Sequence, residues 1–220
     1  MCVVFPRGSI SDMTSCGYHK CLHMSDSVNY CIHRYEVASS AINKWKVGLP
    51  GRPRGLSLTL SCNLLVTCRG KFNKLVELNA VSGQRVREIA LLSAVERSWH
   101  GVQLTTDQFV VCHGFWDDSL HRVCVVGDDG NITRSYGGQS GCDVGQLKCP
   151  RHLAVDKDLQ FIFAADYDNH RVVLLSPTLE FVRCFNEGLS SGPYRLYFHQ
   201  ATLRLFVGQE LGRSVTVIQL

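Results

Sequence analysis

The feature that most constrains this chain is a repeat. An anchor residue followed by an alternating strand occurs five times: Pro6-Arg7-Gly8-Ser9-Ile10, Pro53-Arg54-Gly55-Leu56-Ser57-Leu58, Trp99-His100-Gly101-Val102-Gln103-Leu104, Pro150-Arg151-His152-Leu153-Ala154-Val155-Asp156 and Pro193-Tyr194-Arg195-Leu196-Tyr197-Phe198. In the third instance Trp99 stands in the proline slot. Successive anchors lie 47, 46, 51 and 43 residues apart. A period of this size, holding several short strands, is the sequence signature of propeller blades, which bury their apolar faces only by packing on their neighbours.

Each unit continues with further strands. The second strands read Leu64-Leu65-Val66-Thr67, Gln108-Phe109-Val110-Val111, Phe161-Ile162-Phe163-Ala164 and Leu203-Arg204-Leu205-Phe206-Val207. The third read Lys74–Leu78, Arg122–Val126, Arg171–Leu175 and Ser214–Ile218, and the fourth Val86–Ile89, Ile132–Tyr136 and Phe181–Phe185. β-Branched and aromatic residues dominate these runs, turn chemistry such as Asp128-Asp129-Gly130-Asn131 separates them, and no long stretch has a helical period. The expectation is an all-β, β-propeller domain of four-stranded blades over residues 1–220, with units at about 6–52, 53–98, 99–149, 150–192 and 193–220. Five anchors leave two readings, a five-bladed ring with Met1–Phe5 supplying a missing outer strand, or part of a six-bladed one. The second is the expectation here.

The chain has 220 residues, 45% of them apolar, enough for one substantial core. No apolar run is long enough for a transmembrane helix, and the start lacks the basic leader and long apolar stretch of a signal peptide. The 11 cysteines form no Cys-x-x-Cys pair, and several, such as Cys68, Cys112 and Cys124, sit in apolar runs. This reads as buried, reduced thiols in a cytoplasmic protein rather than a disulfide framework. A net charge of +4 permits an acidic partner without requiring one.

One unit carries a finer pattern. Gly145-Gln146-Leu147, Pro150, Leu153-Ala154-Val155-Asp156, Ala165-Asp166 and Asn169-His170-Arg171-Val172 resemble an NHL repeat, and Asp26, Asn29 and Ile32 match its Asp, Asn and apolar positions in the first unit. The chain as a whole resembles the C-terminal NHL module of tripartite-motif proteins. The resemblance implies a propeller that recognises a protein segment or single-stranded RNA. It also implies, as an alternative, the substrate-recognition part of a ubiquitin ligase, whose RING and B-box regions this sequence does not contain. Propellers related to NHL repeats also include a metal-dependent peptidyl lyase. That enzyme would require secretion, disulfides and central histidine ligands, and no such ligand set is recognisable in the sequence.

The candidate site residues follow from the repeat. Equivalent positions in stacked repeats fall on one face, so Arg7, Arg54, Arg151 and Arg195, with His100 in the same register, are expected to form a ring of positive charge. Arg69, Lys71, Arg122 and Arg171 fall near the loop between second and third strands, and Tyr194, Trp99, Phe72, Phe115 and Trp116 add aromatics nearby. Arginine beside aromatics suits RNA and equally a protein partner. Asp26, Asn29, Asp166, Asn169 and Arg171, with Pro53 and Pro150, read as a structural signature. The Asp and Asn hold a turn, and Arg171 pairs with Asp156 or Asp166. Four potential zinc ligands lie between Cys16 and His23, but no second ligand pair follows at finger-like distance, and Asp117, Asp118, Asp128 and Asp129 read as solvated turns rather than a calcium loop. No phosphate-binding loop or nucleophile motif occurs. The expectation is therefore a non-catalytic module with no cofactor, no metal, no small-molecule substrate and no membrane partner.

Overall fold

The computed structural model describes residues 10–45, 47–211 and 215–220. It is a β-propeller of five antiparallel sheets arranged about an axis. Blade 1 holds β1 (Ile10–Cys16), β2 (Cys21–Asp26), β3 (Cys31–Glu36) and β4 (Ile42–Trp45). Blade 2 holds β5 (Arg52–Leu58), β6 (Leu64–Arg69), β7 (Lys74–Leu78) and β8 (Arg85–Ala90). Blade 3 holds β9 (Ser98–Gln103), β10 (Gln108–His113), β11 (His121–Gly127) and β12 (Ile132–Gly138). Blade 4 holds β13 (Pro150–Val155), β14 (Ile162–Asp166), β15 (Arg171–Leu175) and β16 (Phe181–Phe185). Blade 5 holds β17 (Pro193–His199), β18 (Arg204–Gln209) and β19 (Val215–Gln219), three strands among the described residues. The only helical segments described are two short 3-10 turns, so no helix is long and apolar enough to cross a membrane.

Why the middle strands are unbroken apolar runs is visible in the packing. Side chains alternate across a strand, and here both faces are covered. Phe109 and Val111 of β10 pack with Leu65 and Leu75 of blade 2, while Val110 and Cys112 pack with Leu153, Ile162 and Val173 of blade 4. Blade 4 repeats the pattern, with Phe163 and Ala165 turned to Leu205 and Val207 of blade 5. A fourth cluster joins Ile32 of blade 1 to Leu56, Leu64 and Val66 of blade 2. Four apolar layers thus lie between successive blades, and each fully buried Val or Leu contributes about 1.5–3 kcal/mol. Cys68, Cys112 and Cys124 are completely buried within them.

The inner strand of every blade carries one extra residue against its neighbour, at the same place: Ile10/Asp12, Pro53/Leu56, Ser98/His100, Pro150/Leu153 and Pro193/Arg195. A bulge re-aims side chains, and this one defines the true repeat register. Pro53, Pro150 and Pro193 hold the anchor slot as expected. In blade 3 the slot belongs to Ser98 rather than Trp99, which shifts Trp99 and His100 one place along. In blade 1 it belongs to Ile10. The anchor Pro6 and its neighbour Arg7 lie outside the described residues, as do Met1–Phe5 and Ser214. The partial six-bladed ring is replaced by five blades among the described residues, with Arg195 of blade 5 reaching Asp12 of blade 1.

The close approach of β5 and β9 requires a glycine. A Cβ on Gly55 would stand 2.6 Å from the carbonyl oxygen of Trp99 and 2.7 Å from Cα of His100. Backbone cannot yield as a flexible side chain does, so Gly55→Ala is expected to destabilise by about 1–3 kcal/mol. Urea unfolding of the variant beside the unaltered protein measures this, and an unchanged midpoint would refute it.

Candidate functional site at the propeller axis

The bulge brings two successive residues of each inner strand to the axis, in two layers. The deeper layer is Asp12, Gly55, His100, His152 and Arg195, one residue per blade. Asp12 organises it. Its Oδ1 accepts from Nε of Arg195 at 2.8 Å and from its neighbour's amide, Met13 N, at 2.9 Å. Its Oδ2 accepts from the Leu56 amide at 2.8 Å and faces Nε2 of His152 at 3.6 Å and of His100 at 3.7 Å. A single buried carboxylate therefore touches all five blades. The two imidazoles stack with centroids 3.8 Å apart. His100 donates from Nε2 to the Leu56 carbonyl at 3.1 Å, and Nδ1 of His152 accepts the Leu196 amide at 3.3 Å.

The electrostatics follow from burial and these partners. Burial alone would raise the pKa of Asp12, but the facing His152, then Arg195 and His100, outweigh it and hold the carboxyl well below its ordinary range. Desolvation, with the neighbouring imidazole, pushes His100 down to about 3, and burial lowers His152 as well. The layer thus holds an ionised Asp–Arg pair and two neutral histidines near neutral pH. Asp12, His100 and His152 lie close enough to share an ion. However, Nε2 of His100 carries its proton toward a carbonyl, and Arg195 already supplies the positive charge to Asp12.

The outer layer is Ser11, Arg54, Trp99, Arg151 and Tyr194, which with the deeper residues line a cavity of about 10 Å³, room for a single water. Trp99 is its floor. Arg151 lies 4.3 Å from the centroid of Trp99 and 4.3 Å from that of Tyr167. Arg54 and Arg69 approach Trp99 at 5.4 and 5.3 Å, and Arg195 covers Tyr194 at 4.5 Å. Trp99 donates from its ring nitrogen to the Gly114 carbonyl at 3.2 Å. Burial, then the charges of Arg52, Arg151 and Arg195, lowers Arg54; burial, then Arg54 and Arg97, lowers Arg69. Among the described residues none of Arg54, Arg69 and Arg151 forms an ion pair, although the charge of Asp118 partly offsets the lowering of Arg69, and the Nε atoms of Arg54 and Arg151 are buried without any partner.

The expected binding residues therefore divide. Arg54, Arg69, Arg151, Arg195, Trp99 and Tyr194 converge. His100 converges too, but in the deeper layer at 2% exposure, and Arg151 at 8% is a packing residue as well as a charge. Arg122 stands apart on β11, opposite His113. Asp12 went unnoticed in the sequence because nothing in the segment Ile10-Ser11-Asp12 marks an anchor, and His152 because it stands one place beyond Arg151, the residue of that anchor assigned to the ring of charge. The repeat signature forms a staple. Asp166 Oδ2 accepts from Asn169 and from Nε of Arg171, both at 2.7 Å, and Arg171 goes on to the carbonyls of Cys142 and Gln146. Asn29 donates to Asp26 in the same way at 2.8 Å. Arg171 thus pairs with Asp166 rather than Asp156. Asp117 and Asp118, expected to be free turn residues, both hold Arg97. In the Cys16–His23 segment, Cys16 faces Cys21 across the β1–β2 turn and His23 spends Nε2 on the Ala80 carbonyl at 3.1 Å.

Replacing Asp12 by Asn should cost roughly 3 kcal/mol of stability, the low end for breaking a buried pair, because Arg195 is half-buried. Chemical denaturation tests it, and a loss under about 1 kcal/mol, the scale of an exposed pair, would show that the axial link is dispensable. Acid should act through the histidines. Unfolded imidazoles take protons near 6.5, whereas folded His100, and His23 and His113 at about 4, do not. The unfolded state therefore binds more protons across this span, and stability falls as pH falls from about 6.5 toward 4, with the lowered pKa of Asp12 adding to the loss below that. A denaturation midpoint that stays flat from pH 7 to pH 4 would contradict this.

No family model matches the sequence, and no curated protein matches it. Solved structures do. A protein of unknown function from Bacteroides caccae matches with a TM-score of 0.75 at 15% identity, over 98% of this chain and 80% of its own. A chain of a nidogen/laminin complex matches at 0.71 and 16%, over 98% and 77%. A luciferin-regenerating enzyme matches at 0.70 and 13%, over 97% and 74%. At such identities the likeness is one of fold, and what this chain shares with all three is the β-propeller.

Proposed function

We propose that this chain is a non-catalytic recognition module that captures an acidic protein segment at its axial funnel. One observation carries the reading: Arg54, Arg69 and Arg151 converge on Trp99 with no ion pair to any of them among the described residues, and only Arg69 is near a carboxylate charge, that of Asp118. Arginine crowding of this kind costs free energy in the unliganded protein and is relieved by a bound carboxylate, which the guanidinium fork takes in two parallel hydrogen bonds. Binding rather than turnover is favoured because the one carboxylate at the axis, Asp12, is already engaged by Arg195 and by two backbone amides. The thiols nearby also lack nucleophilic character, since burial pushes Cys68 and Cys112 up to about 12.

A protein segment fits better than single-stranded RNA. Base stacking needs an open aromatic face, and Trp99 is 9% exposed with guanidinium groups over it. A carboxylate needs only the donors. Beside the funnel lies a cleft of about 430 Å³ lined by Trp116, Lys148 and Asp168, and Trp116 stacks on Phe115, which borders the arginines. That cleft could hold the residue flanking the captured acid. Substrate recognition for a ubiquitin ligase would use this same act of binding.

Fluorescence anisotropy with a Glu-rich peptide, its Gln-substituted twin and a single-stranded RNA tests the reading. The acidic peptide should bind and the Gln twin should not, with affinity falling as salt rises. Arg54→Ala with Arg69→Ala should weaken binding about tenfold or more, given about 1.5–3 kcal/mol for a hydrogen bond to a charged group, with the fold intact. Equal binding of both peptides would overturn the proposal, and RNA bound in preference to the acidic peptide would replace the ligand with nucleic acid.

A further inference from the structure

We propose that Asp26, Cys31 and His33 form a metal site for a thiophilic dication of the zinc class, at the β2–β3 turn of blade 1. The reasoning starts from a comparison within the molecule. In blade 4 the buried Asp166 is neutralised by Arg171, its ladder partner five residues on. Blade 1 repeats the carboxylate at Asp26 and the turn asparagine at Asn29, but the ladder partner of Asp26 is Cys31. The permanent cation has been exchanged for a thiol, while Asp26 is still only 1% exposed. A carboxylate buried to this degree needs a positive counterpart.

The residues around it are metal ligands. Nε2 of His33 lies 3.4 Å from Oδ2 of Asp26 and 3.6 Å from Sγ of Cys31, and all three donor atoms lie within 4.8 Å of one another. Bonds of about 2.0–2.3 Å to zinc in a tetrahedron place neighbouring donors roughly 3.3–3.8 Å apart, so little movement is required. A thiolate and a carboxylate together match the charge of a dication, with neutral imidazole as third ligand, and the sulfur selects against magnesium and calcium. The carboxylate is held in place from behind. Asp26 Oδ1 accepts the amides of Val28 and Asn29 at 3.2 and 2.9 Å, and Oδ2 accepts Asn29 Nδ2 at 2.8 Å, the outer-shell support that ligating carboxylates have. Three protein donors leave one tetrahedral position for water or another residue. This site is separate from the Cys16–His23 segment and from the axial funnel, and does not depend on the function proposed above.

The competing account is that protonated His33 alone neutralises Asp26. Cobalt(II) titration of the reduced, folded protein separates the two. The metal site predicts thiolate-to-cobalt charge-transfer absorption and visible ligand-field bands of tetrahedral intensity, saturating at one equivalent and abolished by added zinc. Cys31→Ser and His33→Asn should each lose these bands, whereas Cys142→Ser with Cys184→Ser, at exposed thiols, should keep them. Absence of the bands in the unaltered protein, or their survival in Cys31→Ser, overturns the proposal. Because either variant could fold poorly, the unaltered protein supplies a second readout. Its melting temperature should rise with one equivalent of zinc and fall back with chelator, as for any ligand bound only by the folded state. A melting temperature indifferent to both overturns the proposal.

Discussion

The carboxylate of Asp12 is the constraint on which the axis of this molecule depends. Apolar layers hold successive blades together, but such packing is non-directional and fixes neither how far the inner strands approach the axis nor how they are rotated there. A charge of fixed geometry does. Asp12 reaches an amide of blade 2, imidazoles of blades 3 and 4 and a guanidinium of blade 5, so each blade is registered against the same two oxygens. Burying the charge is tolerable because every lone pair is directed at a donor or an imidazole edge. Gly55 is part of the same arrangement, since a side chain at that position would occupy the space of His100.

The outer layer is built on that platform and obeys the opposite logic. Where the deeper layer balances its charge, the outer one accumulates positive charge, and the aromatic rings beneath it make this tolerable. Trp99, Tyr167 and Tyr194 present their negative faces to Arg151 and its neighbours, which holds the guanidinium groups in place without neutralising them. The donors are thus held in place in the protein as it stands, so that the binding proposed above would leave little ordering to do.

Much of the fold was legible in the sequence because its determinants are local and repeated. Runs such as Val123-Cys124-Val125-Val126 and Arg171-Val172-Val173-Leu174-Leu175 mark middle strands, and the prolines at 53, 150 and 193 mark inner ones. The register failed where the marker was absent. Ser98 and Ile10 stand where the other blades have proline, and because Ser98 holds the anchor slot, Trp99 and His100 each sit one position further along the repeat than expected. The site was legible only in part for a different reason. Arg54, Arg151 and Tyr194 could be gathered by analogy between repeats. The partnership of Asp12 with His152 and Arg195 crosses three blades and joins unlike residues, which no comparison of like with like can find. Asp26 shows the same limit: its match to Asp166 was visible, but the consequence of Cys31 standing where Arg171 stands needed the ladder.

The five positions at the rim are equivalent in backbone and unequal in chemistry: Ser11, Arg54, Trp99, Arg151 and Tyr194. Had they been alike, a guest at the centre could dock in five rotated poses of equal energy, and that degeneracy is worth RT ln 5, about 1 kcal/mol. Here one side of the opening is a small hydroxyl and the rest is cation and ring. Any guest of the kind proposed above would therefore have its heading set along with its presence, and a rotationally repetitive scaffold acquires distinguishable sides.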